Sequence, residues 1–278
     1  MNWLYFVMNC TLLLLAAFCG WQMRRLRPRR FAACMAAAAA LMCLRIFLHA
    51  HPEYEQYLLR WLSDDYIYFS AWEAPLAALM VFGLAAHLPG RRTRRLVVLA
   101  LGVLAPLFLW DSFSTCLQPR YVMAAQFDAD GVCRQGTSYS CGPAAAVMML
   151  KFVDAEVSEG EMANLCLLRP DQGVTALELC RGLNIALRPW ARRAVIERIP
   201  PDELDALRPP FLAQLRRGNV TMHCVVVVEV RSDTVLLADP ARGRSIRSRS
   251  DFLRDWTGIA ITVRPWRKKA AVNRRLTG

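Results

Sequence analysis

"MHCVVVVEVRSDTVLLADP", residues 222–240, holds two apolar, β-branched runs on either side of Arg231-Ser232-Asp233. Runs this short, rich in Val and bounded by turn formers, read as two antiparallel strands of a hairpin. A further run, "WTGIAITV" at 256–263, reads as another strand. Upstream, the pattern predicts helical stretches from Cys141 to Phe152, from Ser158 to Leu168 and from Val174 to Leu183. Helices first and antiparallel strands after predict an α+β domain of about 130 residues.

The hairpin also carries chemistry. His223 opens its first strand and Asp239 closes its second, so folding it back brings the two ends near each other. An Asp carboxylate there can accept from the imidazole and fix its tautomer. The chain has His at 49, 51, 87 and 223, and the first three fall in its apolar first part. Any Cys–His pair in the C-terminal half therefore uses His223.

The matching cysteine lies in "CRQGTSYSCGPAAAVMMLKF", residues 133–152. Cys141 stands at a predicted helix start, where backbone N–H groups and the helix dipole lower a thiol pKa. Gly142 allows close approach, and Pro143 suits a first helical turn. A thiol attacks as thiolate and needs a base, which is the pattern Cys141 and His223 offer. Gln135, six residues before Cys141, can donate its side-chain N–H to a developing oxyanion, aided by the Cys141 backbone N–H.

Composition narrows the alternatives. The net charge is +12, almost wholly from Arg, since Lys occurs only at 151, 268 and 269. These charges gather at the boundaries of apolar runs and in the C-terminal tail, a pattern that favours lipid and solvent over nucleic acid. Of the ten cysteines, Cys10, Cys19, Cys34 and Cys43 lie in apolar runs and pack as small hydrophobes. Cys116, Cys133, Cys141, Cys166, Cys180 and Cys224 show neither CxxC nor His-rich spacing, so no metal and no cofactor is expected. Cys166 and Cys180 read as core, and Cys116–Cys133 stays open as a bridge.

Residues 1–111 read as a transmembrane region of four helices, at about 3–22, 31–50, 66–88 and 94–111. The first run lacks a basic leading region and an evident small-residue cleavage site, and reads as a retained helix. Arg24, Arg25, Arg27, Arg29 and Arg30 follow the first run, and Arg91, Arg92, Arg94 and Arg95 precede the fourth. The loop between runs two and three is acidic, with Glu53, Glu55, Asp64 and Asp65. The positive-inside rule then places both termini, and the C-terminal half, outside the cytoplasm of a bacterial inner membrane. Arg45 and Glu73 are ionisable residues within spans and are expected to serve as ion-pair partners in a small bundle. A connector at 112–130, the α+β domain at 131–264 and a basic tail at 265–278 complete the plan.

"Q-x5-C-G-P-A-A-A", "H-C-V-V-V-V", "L-L-A-D-P-A" and "F252…W256-T-G" together resemble the double-glycine leader peptidase family. These are bacteriocin-processing cysteine peptidases of papain-like fold. The resemblance runs over about 131–263 and implies Cys141 as nucleophile, His223 as base, Asp239 as its orienter and Gln135 as oxyanion donor. It also implies a peptide or protein substrate, with a Gly-containing leader. The family's familiar members are cytosolic domains fused to peptide-exporting ABC transporters. This chain carries no Walker motif, and four short spans stand in the transporter's place. Two other readings compete with a peptidase: a catalytically silent papain-like peptide-binding module, and a membrane sensor or transport accessory built on Arg45 and Glu73.

Overall fold

The computed structural model describes residues 3–62, 73–88, 90–92, 95, 99, 119–170, 172–218 and 221–266. The chain divides into two compact units, Met1–Pro119 and Arg120–Gly278.

In the first unit, α1 (Trp3–Gln22), α2 (Pro28–Ala50), α3 (Pro52–Leu62) and α4 (Glu73–His87) are helical. Two helices, over Phe6–Arg25 and Pro28–Ala50, are long and apolar enough to cross a membrane by length and composition. The predicted third span is described from Glu73 to Leu88, and of the fourth only residues 95 and 99 are described. α1 packs on α4 at Gly20, where an added Cβ would meet the Leu79 carbonyl oxygen at 2.5 Å. Such close backbone approach through a small residue is how helices pack where apolar burial from water supplies no drive.

The acidic loop expected after the second run is instead the helix α3 for its first eleven residues. Pro52 suits the first helical position, and Glu53 and Glu55 in the first turn complement the helix dipole. α3 also supplies Arg45 with a partner. The Arg45 guanidinium lies 3.0 Å from Glu55 Oε1, both side chains being buried. The Glu73 side chain lies outside the described residues.

The second unit is an α+β fold. Its sheet has six antiparallel strands in the order β3-β8-β4-β5-β6-β7. These are β3 (Arg192–Arg198), β4 (Phe211–Arg217), β5 (Thr221–Val230), β6 (Thr234–Asp239), β7 (Gly243–Ser248) and β8 (Trp256–Pro265). A short ribbon of β1 (Gln126–Phe127) and β2 (Cys133–Arg134) precedes the helices. The helices are α5 (Cys141–Lys151), α6 (Glu159–Leu165), α7 (Ala176–Leu187) and α8 (Arg249–Asp255).

Alternation along the strands sends Phe211, Ala213, Leu215, Val225, Val227, Val235 and Leu237 into one core. Phe252 of α8 and Trp256 close that core, their rings stacked 5.6 Å apart. α5 packs against β5, α6 and α7. Its residues Gly142 to Leu150 are all buried, which a helix apolar on every side requires.

The hairpin predicted at 222–240 is β5 and β6, paired Val226 to Ala238 and Val230 to Val235. The run at 256–263 is β8, extended by two residues. Strands β3, β4 and β7 escape the sequence reading. "RRAVIER" and "GRSIRS" are polar edge strands, and "FLAQLRR" is as compatible with a helix as with a strand.

α6 and α7 cross at Gly182, where an added Cβ would collide with Cys166 Sγ and meet Met162 Cε at 2.9 Å. Gly182→Ala is therefore expected to destabilise this unit by about 1–3 kcal/mol. The measurement is thermal unfolding of the full chain in detergent micelles, where an unchanged midpoint would contradict the contact.

Candidate active site

Cys141 is the first residue of α5, and its helix starts without the usual cap. Ser140 precedes it with φ −96° and ψ 19°, and its side chain makes no capping hydrogen bond. Pro143 has no N–H, and the Ala144 N–H is bonded to the Ser140 carbonyl at 3.1 Å. The first turn therefore leaves the N–H groups of Cys141 and Gly142 free of helix partners. A helix start with open N–H groups favours negative charge.

His223 reaches this helix start from β5 and is 9% exposed. Its Nε2 lies 2.7 Å from Asp239 Oδ1. The same carboxylate oxygen accepts the Ala241 N–H at 2.8 Å, which fixes the acid against rotation. The hairpin register explains the meeting. With Val226 opposite Ala238, Asp239 falls beside Val225, two residues from His223 and on the same side of the pleat. The Cys141 thiol and the imidazole are near enough for each to shift the other's titration. Nε2 is engaged by Asp239, which leaves Nδ1 for the sulfur.

The electrostatics follow from this line of three groups. Burial pushes the Cys141 thiol up, and the polar contact and charge of His223 oppose it. The Cys224 and Gly142 backbone N–H groups add to that effect, and the thiol pKa ends below its ordinary value. Burial disfavours charge on His223, yet Asp239 and Cys141 together raise its pKa to about 9. Burial likewise opposes charge on Asp239, and its bond to His223 holds its carboxyl below the ordinary range. Cys133 and Cys180 contrast with this, pushed up to about 11 and about 12 by burial, and Cys166 is raised as well. The arrangement suits a thiolate–imidazolium pair near neutral pH.

Gln135 sits between β2 and α5. Its backbone N–H donates to the Pro240 carbonyl at 3.1 Å, and Arg134 donates to the Ala241 carbonyl at 2.8 Å. These two bonds tie the Gln135 segment to the turn that follows Asp239. The Gln135 amide donates from Nε2 to the Thr137 carbonyl at 2.6 Å. Sequence reasoning thus named four residues, of which His223 and Asp239 are hydrogen-bonded to one another and Cys141 lies beside the imidazole. Gln135 is joined to them through the backbone.

Two neighbours escaped that reading. Glu159 is 1% exposed, and both its carboxylate oxygens accept the Gly136 N–H, at 2.9 and 3.1 Å. Ser158-x-x-Glu161 announces the start of α6 as a capping box, but nothing local tells that Glu159 turns inward. Ser140 is fully buried and bonds Thr137 rather than its own helix. Its place before a predicted helix looks like an ordinary cap.

Cys133 is a buried free thiol, and Cys116 lies outside the described residues. Cys166 and Cys180 are buried, as core positions should be. Among the described residues, no three His, Cys, Asp or Glu side chains come together as a metal-ligand set.

Comparison with known proteins bears on residues in this unit. A family model described as Peptidase C39 family matches residues 130–268. An uncharacterized protein of Methanothermobacter thermautotrophicus is 32% identical over 143 residues, 51% of this chain and 94% of that protein. The lactococcin-G-processing and transport ATP-binding protein LagD of Lactococcus lactis subsp. lactis is 34% identical over 56 residues. That stretch is 20% of this chain and 8% of LagD. Among solved structures, a double glycine motif protease from an AMS/PCAT transporter, in complex with the leader peptide, is similar at 23% identity. The similarity covers 53% of this chain and 99% of that one, with a TM-score of 0.43.

Proposed function

The chain belongs to the peptidase C39 family of cysteine peptidases, and from that premise we propose how its own residues cleave a peptide bond. Cys141 attacks the scissile carbonyl carbon as thiolate. His223 holds the thiol proton and later delivers it to the leaving amine. Asp239 keeps the imidazole in one tautomer and stabilises its charged form. The Cys141 N–H, left open by the uncapped helix start, and the second N–H of the Gln135 amide receive the developing oxyanion. Water then hydrolyses the thioester, with His223 as general base. The observation that carries this reading is the line Cys141–His223–Asp239, in which a lowered thiol pKa faces a raised imidazole pKa.

The substrate we propose is a peptide or protein carrying a Gly-containing leader. The likeness over 56 residues to LagD, a lactococcin-G-processing and transport protein, and the resemblance in the motifs motivate that choice. The substrate proposal is tested on the full chain in detergent micelles, with peptidyl aminomethylcoumarins ending in Gly-Gly, Leu-Gly or Arg. Release of coumarin after Gly-Gly is expected. Wild-type protein that leaves every peptide intact, while Cys141 still alkylates rapidly, would favour the silent peptide-binding module.

We further propose that the first unit anchors the enzyme in a bacterial inner membrane with the catalytic domain outside the cytoplasm. Its helices present apolar side chains outward, with Leu14 70%, Phe18 59% and Ile46 62% exposed, which suits a lipid environment. Arg24 and Arg25 after the first helix support the orientation. A membrane-impermeable maleimide is expected to label Cys141 in intact spheroplasts. Labelling only after lysis would place the domain in the cytoplasm.

A further inference from the structure

We infer that Ser140 is a positioning residue for the peptidase reaction, acting through Thr137 on the side-chain amide of Gln135. This rests on the proposed role of Gln135 as an oxyanion donor.

A serine directly before a helix ordinarily turns its hydroxyl forward, to accept from the N–H of the second or third helical residue. Ser140 does the opposite. Its Oγ accepts the Thr137 N–H at 3.0 Å and lies 3.2 Å from the Thr137 carbonyl, to which it donates. Its own N–H donates to the same carbonyl at 3.3 Å. One side chain thus holds both backbone polar groups of Thr137, at a position with no exposure to solvent.

Two consequences follow. First, the hydroxyl does not occupy the Gly142 N–H, which stays available to the Cys141 sulfur. Second, the Thr137 carbonyl is held still, and it is the acceptor for Gln135 Nε2 at 2.6 Å. That bond decides which way round the amide stands, because a flipped amide would set Oε1 against the Thr137 oxygen. Gln135 Oε1 is buried and accepts no hydrogen bond among the described residues, so they give the amide no competing hold. One N–H of the amide is spent on Thr137 and the other is free to donate. Glu159 holds the neighbouring Gly136 N–H from the other side, and the Gln135 N–H is bonded to the Pro240 carbonyl, but neither bond reaches the Gln135 amide. Since Ser140 is bonded directly to Cys141, it links the placement of the donor to that of the nucleophile.

The test compares wild type, Ser140→Ala, Gln135→Ala and the double variant, as full chains in micelles, on the Gly-Gly aminomethylcoumarin peptide. Gln135→Ala is expected to lower kcat about 100-fold, the usual cost of one oxyanion donor. Ser140→Ala is expected to lower kcat about tenfold, with KM within about twofold, as loose positioning does. The pH profile of Cys141 alkylation should stay as in wild type, because the thiolate–imidazolium pair is untouched. That profile also reports a folded site. In the Gln135→Ala background, Ser140→Ala should cost nothing further.

An equal loss from Ser140→Ala in both backgrounds would overturn the inference, and so would a shifted alkylation profile. A normal kcat for Gln135→Ala would instead sink the role of Gln135 itself, and the inference with it. If Ser140→Ala does not fold, Ser140→Gly serves. Glycine is well tolerated before a helix, and the same pattern of losses is expected.

Discussion

Cys141→Ala is expected to abolish peptide cleavage by the full chain, lowering turnover by about 10⁴-fold or more, while the protein stays folded. Loss of a nucleophile removes the covalent route, and what remains is the residual catalysis of binding and oxyanion stabilisation. The substitution is mild for the fold. Alanine is a better helix former than cysteine, and Cys141 opens α5 with its side chain half-buried. The measurement is coumarin release, with the thermal midpoint as the control for folding. Turnover retained within about tenfold of wild type would remove Cys141 from the mechanism. A lost activity with a lost midpoint would have to be repeated with Cys141→Ser, which keeps the shape of the side chain.

His223→Ala carries the second large effect, and its signature differs. Turnover is expected to fall about 10³–10⁴-fold, as removing the base of a nucleophile–base pair does. The thiol itself should also change. Burial alone pushes Cys141 up, and His223 supplies the strongest opposing effect. Without the imidazole, the midpoint of Cys141 alkylation moves to higher pH, and labelling near neutral pH slows at least tenfold. The Cys224 and Gly142 N–H groups remain, so the thiol stays reactive at alkaline pH. An alkylation midpoint unmoved by His223→Ala would mean that the helix start alone sets the acidity of the thiol.

The same pair shapes the pH dependence of the wild type. Cleavage rises as the thiolate forms through its lowered pKa, and falls as the imidazolium is lost through about 9. Stability follows with a definite sign. The His223 pKa is raised from 6.5 to about 9. Its contribution is therefore complete below about 6.5 and is lost as pH climbs through about 9. Asp239 acts in the other direction. Its carboxyl is lowered, so its contribution is complete above the ordinary Asp range and is lost on acidification. His223→Ala should flatten the alkaline fall in thermal midpoint between about pH 6.5 and 9.

Much of this molecule was legible in the residues themselves. Val-rich runs around Arg231-Ser232-Asp233 determine a hairpin, and its register alone carries Asp239 to His223. An apolar run opened by Cys-Gly-Pro determines a buried helix with the cysteine at its start. These are local matters of period, turn chemistry and cap, and a single segment decides them. The Arg and apolar patterns of the first part likewise determine two helices long enough to span.

Tertiary structure decided the rest, because the deciding contacts join segments far apart in the chain. Arg45 meets Glu55 only because α3 folds back on α2. The polar strands β3 and β7 exist because β8 and β6 offer them a ladder, not because their own residues demand one. Glu159 becomes a buried acceptor only when α6 is packed against the loop holding Gly136. The raised imidazole and lowered thiol are likewise tertiary facts. They need helix, strand and hairpin turn to converge on one buried point, where burial strengthens each interaction and each charge is kept by its neighbour.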